Sequence, residues 1–254
     1  MRVLLTNDDG IDAPGLRTLI EAFKPLAEVT VVAPDVQRSA AGHSITFHDP
    51  VRITRHEKHD NVIEYAITGT PSDCVLMGLY ELMPERPDIV LSGINRGANM
   101  GFDITYSGTV SAAMEGMIQG TKSIAVSLHG RGPTHYETAA IYAVKFAEKM
   151  VSGELAIPEQ TFLSINVPDI PSDDVKVVRF TRVGRSVYNQ YVTKRTDPQG
   201  RDYYWISGDM PRGLNETGTD FEALEANCIS VTPVSFDLTD YKTLAALKEA
   251  WKES

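Results

Sequence analysis

Cysteine is scarce in this chain. Its 254 residues include two, Cys74 and Cys228. They lie far apart and match no metal-binding or redox spacing. Both read as small apolar core residues in a reducing compartment. Long apolar runs are missing too, since no stretch approaches the ~20 residues of a membrane span. Met1-Arg2 leads straight into a strand, and Asp8 and Asp9 would break the apolar region of a secretory leader. The expectation is a soluble, cytoplasmic protein with no membrane partner. Basic charge is in deficit: 24 Lys and Arg against 34 Asp and Glu leave a net charge of −10. Without a basic stripe to replace counterions, a nucleic-acid polymer is excluded as partner. A single nucleotide received through a metal is not. Two common phosphate-binding signatures are also absent. No Gly-x-Gly-x-x-Gly follows the first strand, and there is no Gly-Lys-Ser/Thr loop. No internal repeat, heptad run or low-complexity segment occurs.

What is there begins as a β-α-β unit. Val3–Thr6 is a short apolar run suited to a buried strand. Asp12 is the expected cap of a helix that carries Pro14 in its first turn and ends at Pro25. Val29–Ala33 is a second buried strand. Such units imply a parallel sheet covered by helices. Ser44–Phe47, Val51–His56 and Val62–Thr68 read as antiparallel excursions. Thr70 and Pro71 open a helix to about Met83, Ile89–Leu91 is a strand, and Ser92–Ser107 is a long loop rich in Gly and Asn. Thr109–Ile118 is a helix of small residues, Ser123–Ser127 a strand, Tyr136–Met150 an amphipathic helix and Phe162–Asn166 a strand. The fold class is therefore α/β: a doubly wound, mostly parallel, Rossmann-like three-layer sheet with a C-terminal β-hairpin extension.

The later chain changes character. Val187–Val192 and Asp202–Ile206 are aromatic strands, holding Tyr188, Tyr191, Tyr203, Tyr204 and Trp205 around a polar turn at Lys194–Arg201. A lone two-stranded hairpin is marginal in water. Its aromatics need a surface, either a second subunit or the chain's own core. Cys228–Pro233 returns as a strand and Tyr241–Trp251 as a terminal amphipathic helix. Residues 1–180 are expected to form a catalytic α/β domain, and 181–254 an appendage for oligomerisation. At this length one domain with an appendage is expected, burying roughly 70–75 % of its unfolded surface.

Asp8 and Asp9 close the first strand on a Gly turn. Two carboxylates ~4 Å apart at an effective dielectric of ~20 repel by ~4 kcal/mol. Such a pair needs a cation or water. In parallel sheets ligands gather at the carboxyl ends of strands. Asp8, Asp9, Ser39 and Asn95 all fall at such ends. They offer only oxygen donors, with no His/Cys cluster, which suits Mg²⁺ or Mn²⁺ rather than zinc. Each also has a plain structural reading, as a βα turn, a loop hydroxyl or a turn asparagine. Ser107-Gly108-Thr109 precedes a helix, whose free N–H groups favour an anion even as the side chains cap it. A phosphate between metal and helix is the economical combination. His43 is a general acid or a residue that orients its loop. Arg96 contacts phosphate or is solvated, and His56 and His59 are surface residues.

These segments together resemble one family. Asn7-Asp8-Asp9-Gly10, Ala33-Pro34-Asp35, Arg38-Ser39, Gly42-His43-Ser44, Gly69-Thr70-Pro71-Ser72-Asp73-Cys74, Ser92-Gly93-Ile94-Asn95 and Tyr106-Ser107-Gly108-Thr109 occur in order, as in the SurE family of stationary-phase survival proteins. The resemblance covers most of residues 1–130. Past about residue 180 it rests on length and the aromatic hairpin. It implies a divalent-metal-dependent hydrolase acting on nucleoside monophosphates, a 5′- and 3′-nucleotidase, with short polyphosphate as a further substrate. It also implies one Mg²⁺ or Mn²⁺ per subunit on Asp8, Asp9, Ser39 and Asn95, and a phosphate pocket of Asn99, Ser107, Gly108 and Thr109. The resemblance further implies a homodimer or homotetramer with exchanged C-terminal segments. The expected chemistry is attack of a metal-bound water on phosphorus, with Asp8 or Asp9 as base and Asp9 preferred. One rival is a covalent aspartyl-phosphatase, for which no lysine lies in the rim loops. Another is a non-catalytic nucleotide-binding module.

Overall fold

Alternation along the first strand sets the layering. In a computed structural model, β1 (Arg2–Thr6) sends Val3 and Leu5 into one apolar cluster and Leu4 into another on the opposite face. The structure describes residues 1–59, 61–130, 132–187, 190–208, 212–214 and 216–251, the side chains of 57–59, 190, 191, 207, 208 and 212 excepted. Tyr188 and the side chains of Tyr191 and His59 thus lie outside the described residues. α1 (Pro14–Phe23) buries Leu16, Leu19, Ile20 and Phe23 on the first face. β2 (Glu28–Pro34) runs parallel to β1. β3 (Ile53–His59) is antiparallel to β4 (Val62–Ile67), while β4 is parallel to β2. Val51–His56 and Val62–Thr68 thus pair antiparallel to each other as expected, but the second of them also joins the parallel sheet through β2. Ser44–Phe47 forms no strand, because its polar groups bond to side chains rather than to a ladder. α2 (Pro71–Met77) starts on a full capping box at Thr70 and Asp73, then widens into a π turn at Gly78–Leu82.

β5 (Ile89–Arg96) outruns its expected end at Leu91. It is paired on both sides, by β1 and by β6 (Ser123–His129). Pairing with β1 ends at Ser92, and β6 alone carries the ladder on through Asn95 and Arg96, past the glycine that interrupts the apolar run. The β6 register shifts between Ser92 and Asn95. Gly93 sits there at φ 146°, and a Cβ on it would come 2.4 Å from the Val126 carbonyl oxygen. α3 (Gly108–Ile118) buries most of its small residues against both β5 and β6. α4 (Tyr136–Ser152) lays Ala139, Ala140, Ala143, Phe146, Ala147 and Met150 on the α1 side.

β7 (Thr161–Pro168) is parallel to β6. The chain then adds β8 (Val178–Phe180) and β9 (Ser186–Val187). β10 (Gln190–Thr196) and β11 (Asp202–Gly208) form the hairpin, paired from Gln190–Gly208 to Thr196–Asp202. Its turn is shorter than Lys194–Arg201. Asp197 accepts from the amides of Gln199 and Arg201 and closes it locally. Val187 pairs instead with β12 (Arg212–Gly213). After α5 (Asp220–Glu225), β13 (Ile229–Ser235) inserts antiparallel to β7 and parallel to β8. α6 (Tyr241–Ala250) ends the chain with none of its residues buried. Among the described residues the main sheet has nine strands, in the order β3-β4-β2-β1-β5-β6-β7-β13-β8. The order reverses between β1 and β5, and a doubly wound sheet opens its binding crevice at such a switch point. Both cysteines are buried and unpaired. Among the described residues no helix is long and apolar enough to cross a membrane.

Candidate active site at the β1/β5 switch point

The turn after β1 is built by Asn7, whose side-chain amide donates to the Gly10 carbonyl (2.9 Å) and whose Oδ1 accepts from the Gly10 N–H (3.2 Å). Ile11 N–H adds a bond to the Pro34 carbonyl at 2.9 Å. With the turn held this way, helix α1 starts one residue late. Ala13, not Asp12, occupies its cap position, and no side chain caps it. The arrangement leaves Asp8 and Asp9 at the carboxyl end of β1 with different surroundings.

Asp8 is buried and accepts a short hydrogen bond from the Thr109 hydroxyl at the start of α3. Burial raises its pKa to about 6, the Thr109 bond opposes that, and the neighbouring Asp9 charge adds to it. Burial, more than mutual repulsion, thus dominates the pair's electrostatics. Asp9 is half-buried. Burial raises its pKa as well, and the Arg96 amide, 3.1 Å from Oδ2, holds it down. Ser39 is exposed in the loop after β2, and that loop is tied to the aspartates by the Arg38 N–H on the Asp8 carbonyl at 2.8 Å. Gln37 lies between them. Its Nε2 donates to Ser39 Oγ at 2.7 Å and approaches Asp9 Oδ1 at 3.5 Å. A polar N–H group therefore already sits among oxygens that could hold a cation. Asn95 lies within β5, not in a loop, and donates its Nδ2 to the Gly97 carbonyl at 2.8 Å, which leaves Oδ1 as its acceptor face.

α3 closes the other side. Ser107 caps it by accepting from the Val110 N–H, and the first-turn amides have no partner within the helix. Gly108 is what lets the helix start reach Asp8. A Cβ there would lie 2.7 Å from Asp8 Cβ and 3.1 Å from its Oδ2. Asp8, Asp9, Ser39, Gly108 and Thr109 are thus joined by contacts, Ser107 precedes Gly108 in the chain, and Asn95 comes to this rim only as the neighbour of Arg96, whose amide bonds Asp9. Asn99 is buried and more tied up. Its Nδ2 donates to Ser127 Oγ and its backbone N–H to Asn166 Oδ1, both at 2.8 Å. His43 faces Glu115 of α3, with 2.7 Å between Nε2 and Oε2. Arg96 is exposed and meets Asp9 through its amide.

Among the described residues no three His, Cys, Asp or Glu side chains cluster in a way that could hold a metal. The set at the rim is of another kind: two carboxylates, a hydroxyl and an amide oxygen. It fits a hard ion that keeps several waters.

Comparison with known proteins extends the resemblance along the whole chain. The family model described as "Survival protein SurE" matches residues 3–190. The chain belongs to the SurE family. A protein named 5′-nucleotidase SurE from Heliobacterium modesticaldum is 46 % identical over 250 residues, covering 98 % of this chain and 91 % of that one. The protein of the same name from Geotalea uraniireducens is 48 % identical, covering 98 % of each. The crystal structure of the SurE protein from Aquifex aeolicus superposes with a TM-score of 0.84 at 42 % identity, covering 99 % of this chain and all of that one. The doubly wound architecture is thus the SurE fold.

Several residues that build this SurE site carried no assignment from the sequence. Gln37 and Glu115 are two, Asn7 a third. Asp73 is another, and it was open to detection, since Thr70-x-x-Asp73 spells a capping box. Its carboxylate also takes the Thr46 amide at 2.9 Å and the Thr46 hydroxyl, fixing the far part of the Ser39 loop. Glu115 had a fainter signal, as an acid in a helix of small apolar residues. Gln37 had none.

Proposed function

We propose that the chain hydrolyses nucleoside monophosphates as a divalent-metal-dependent phosphomonoesterase acting on 5′ and 3′ esters, with short polyphosphate as a further substrate. Its relatives carry the name 5′-nucleotidase, and identity near 46 % along almost the full chain brings that activity here. The observation that carries the chemistry is the Asp8–Thr109 contact. It joins the acidic rim to a helix N-terminus, so opposite charges can be held side by side. Asp8, Asp9, Ser39 and Asn95 would hold one Mg²⁺ or Mn²⁺. That ion would supply a water of lowered pKa and neutralise charge on the phosphate.

The protein's own groups divide the remaining work. Thr109 fixes one Asp8 oxygen, so Asp8 serves as an anchored ligand. Asp9 is less buried than Asp8, whose carboxylate is held by Thr109, so Asp9 would be the group that takes the proton from the attacking water. Ser107, Gly108 and Thr109 present N–H and hydroxyl donors to the phosphate oxygens. Residues 1–180 would carry catalysis. Residues 181–254 would serve a homodimer or homotetramer in the cytoplasm. The hairpin's exposed Tyr204 and Trp205 support this assignment, as do the exposed Phe236 and Leu238 that follow β13.

The test is phosphate release from a panel of nucleoside monophosphates with Mg²⁺, Mn²⁺ or chelator. Release that needs the metal is expected. Turnover indifferent to chelator would overturn the metal reading, and nucleotide binding without release would make the chain a binding module.

A further inference from the structure

Glu115 is a carboxylate 6 % exposed, on a helix otherwise lined by small apolar residues. A charge buried this way is costly unless its oxygens are occupied. Here both are. Gln119 Nε2 donates to Oε1 at 2.7 Å, and His43 Nε2 lies 2.7 Å from Oε2. The acidity of Glu115 is raised first by the His43 bond, so it stays an acceptor, which puts the proton on His43 Nε2. Nothing in the chemistry above uses this pair.

Its position suggests what it does. Between Pro34, the end of β2, and Ile53, the start of β3, the chain has no helix or strand. Ser39 lies in that stretch. Close behind it Ala40 and Gly42 take left-handed backbone, at φ 56° and 58°, so the loop bends sharply. Arg38 anchors the loop before the bend, on the Asp8 carbonyl, and Gly42 N–H anchors it after the bend, on the Tyr106 carbonyl at 3.0 Å. His43 is the first side chain beyond the bend, and it reaches into α3, the helix whose start faces Asp8.

We propose that His43 and Glu115 form a positioning clamp that holds the Ser39 loop at the metal rim, and that His43 is not the proton donor to the leaving group. The inference rests on the metal-dependent reading above. Losing the clamp leaves Asp8, Asp9 and Asn95 in place but lets Ser39 drift, so metal affinity falls while the chemistry of the loaded site survives. The glutamine amide nitrogen reaches about as far as imidazole Nε2 and can donate to Glu115, but it cannot act as an acid. His43→Gln therefore separates the two roles.

The experiment measures Mn²⁺ affinity directly, by electron paramagnetic resonance or calorimetry on full-length protein, alongside kcat at saturating metal. His43→Ala is expected to weaken Mn²⁺ binding about tenfold, the size of one lost charge-assisted hydrogen bond. Its kcat at saturating metal should stay within about twofold, and its melting curve should stay cooperative. His43→Gln should restore wild-type Mn²⁺ affinity and kcat. The double variant with Glu115→Ala should bind Mn²⁺ no more weakly than His43→Ala alone. Unchanged Mn²⁺ affinity in His43→Ala would overturn the clamp. So would a large loss of kcat at saturating metal in both His43→Ala and His43→Gln, since that is the behaviour of a proton donor. If the unmodified protein binds no Mn²⁺, the metal reading fails and the clamp with it.

Discussion

The rim at the β1/β5 switch point and the C-terminal hairpin are built by opposite rules. At the rim the acids and His43 have partners distant in sequence, Asp8 with Thr109, Asp9 with Arg96 and His43 with Glu115, while Asn7, Ser39, Asn95 and Ser107 bond within three residues. In the hairpin β10–β11, the ladder and the Asp197 turn are local. Its apolar side chains stay in water, with Trp205 60 % and Ile206 83 % exposed. Helix α6 repeats the pattern. Its cap is local, at Asp240, and Leu247 is 60 % exposed. One region spends long-range order on a few acids. The other keeps local order and leaves its apolar surface open, the property of a surface made to be covered.

The comparison can be broken first at the rim. Asp9→Asn keeps the shape but removes a charge, and should lower kcat by about 10³ with fold and oligomer intact. Steady-state kinetics and sedimentation check this, and near-normal turnover would remove Asp9 from its role. The next largest effect is expected at α5, which lies outside both regions and braces the turn before α3. Asp220, from the C-terminal third, accepts the Gly101 and Gly184 amides at 2.9 Å each, and Gly101 opens the turn that leads into α3. Asp220→Ala leaves buried donors unpaired and should cost about 3 kcal/mol in chemical denaturation. Gly108→Ala drives a methyl against Asp8, and should cost about 1–3 kcal/mol and reduce metal binding.

A pH scan sharpens the contrast. In metal-free protein Asp8 holds its proton up to about pH 6, against an ordinary value of 3.8. The folded state therefore binds more protons than the unfolded state in that interval. Stability should fall as pH rises through it, and divalent metal should remove the slope. Melting temperature against pH, with and without Mg²⁺, is the measurement. The hairpin should give the smallest effect on the fold. Trp205→Glu is expected to change unfolding by under about 0.5 kcal/mol while lowering the oligomeric state seen in sedimentation. Loss of the monomer fold in that variant would erase the distinction between the two regions.

Much of the parallel sheet was legible because its strands are short apolar runs separated by caps and prolines. Thr70-Pro71 opened its helix as read, and Asp8, Asp9 and Ser39 lie just beyond the ends of β1 and β2 as the pattern of strands suggested. What was not legible depended on neighbours. Asn95 read as a loop residue because Gly93 and Gly97 flank it, yet β6 carries the ladder on to Arg96 after the pairing with β1 has ended at Ser92. Val62–Thr68 read as an antiparallel excursion, which holds toward β3, while its parallel pairing with β2 was missed because strand direction is not encoded in an apolar pattern. Asp12 read as a cap because a cap is a local signal, while Asn7 and the Pro34 carbonyl decided where the turn ends.

By itself the sequence determined the kind of chemistry and the family, since donor types, charge balance and ordered motifs survive without coordinates. It also determined local elements, whose causes lie within a few residues. Only the tertiary structure decided that Asp8 is the locked aspartate and Asp9 the freer one. That difference comes from burial and from Thr109, 101 positions away. Only the fold, likewise, placed Glu115 behind His43. Desolvation and long-range hydrogen bonds depend on what the chain brings together, and no reading of neighbouring residues contains that.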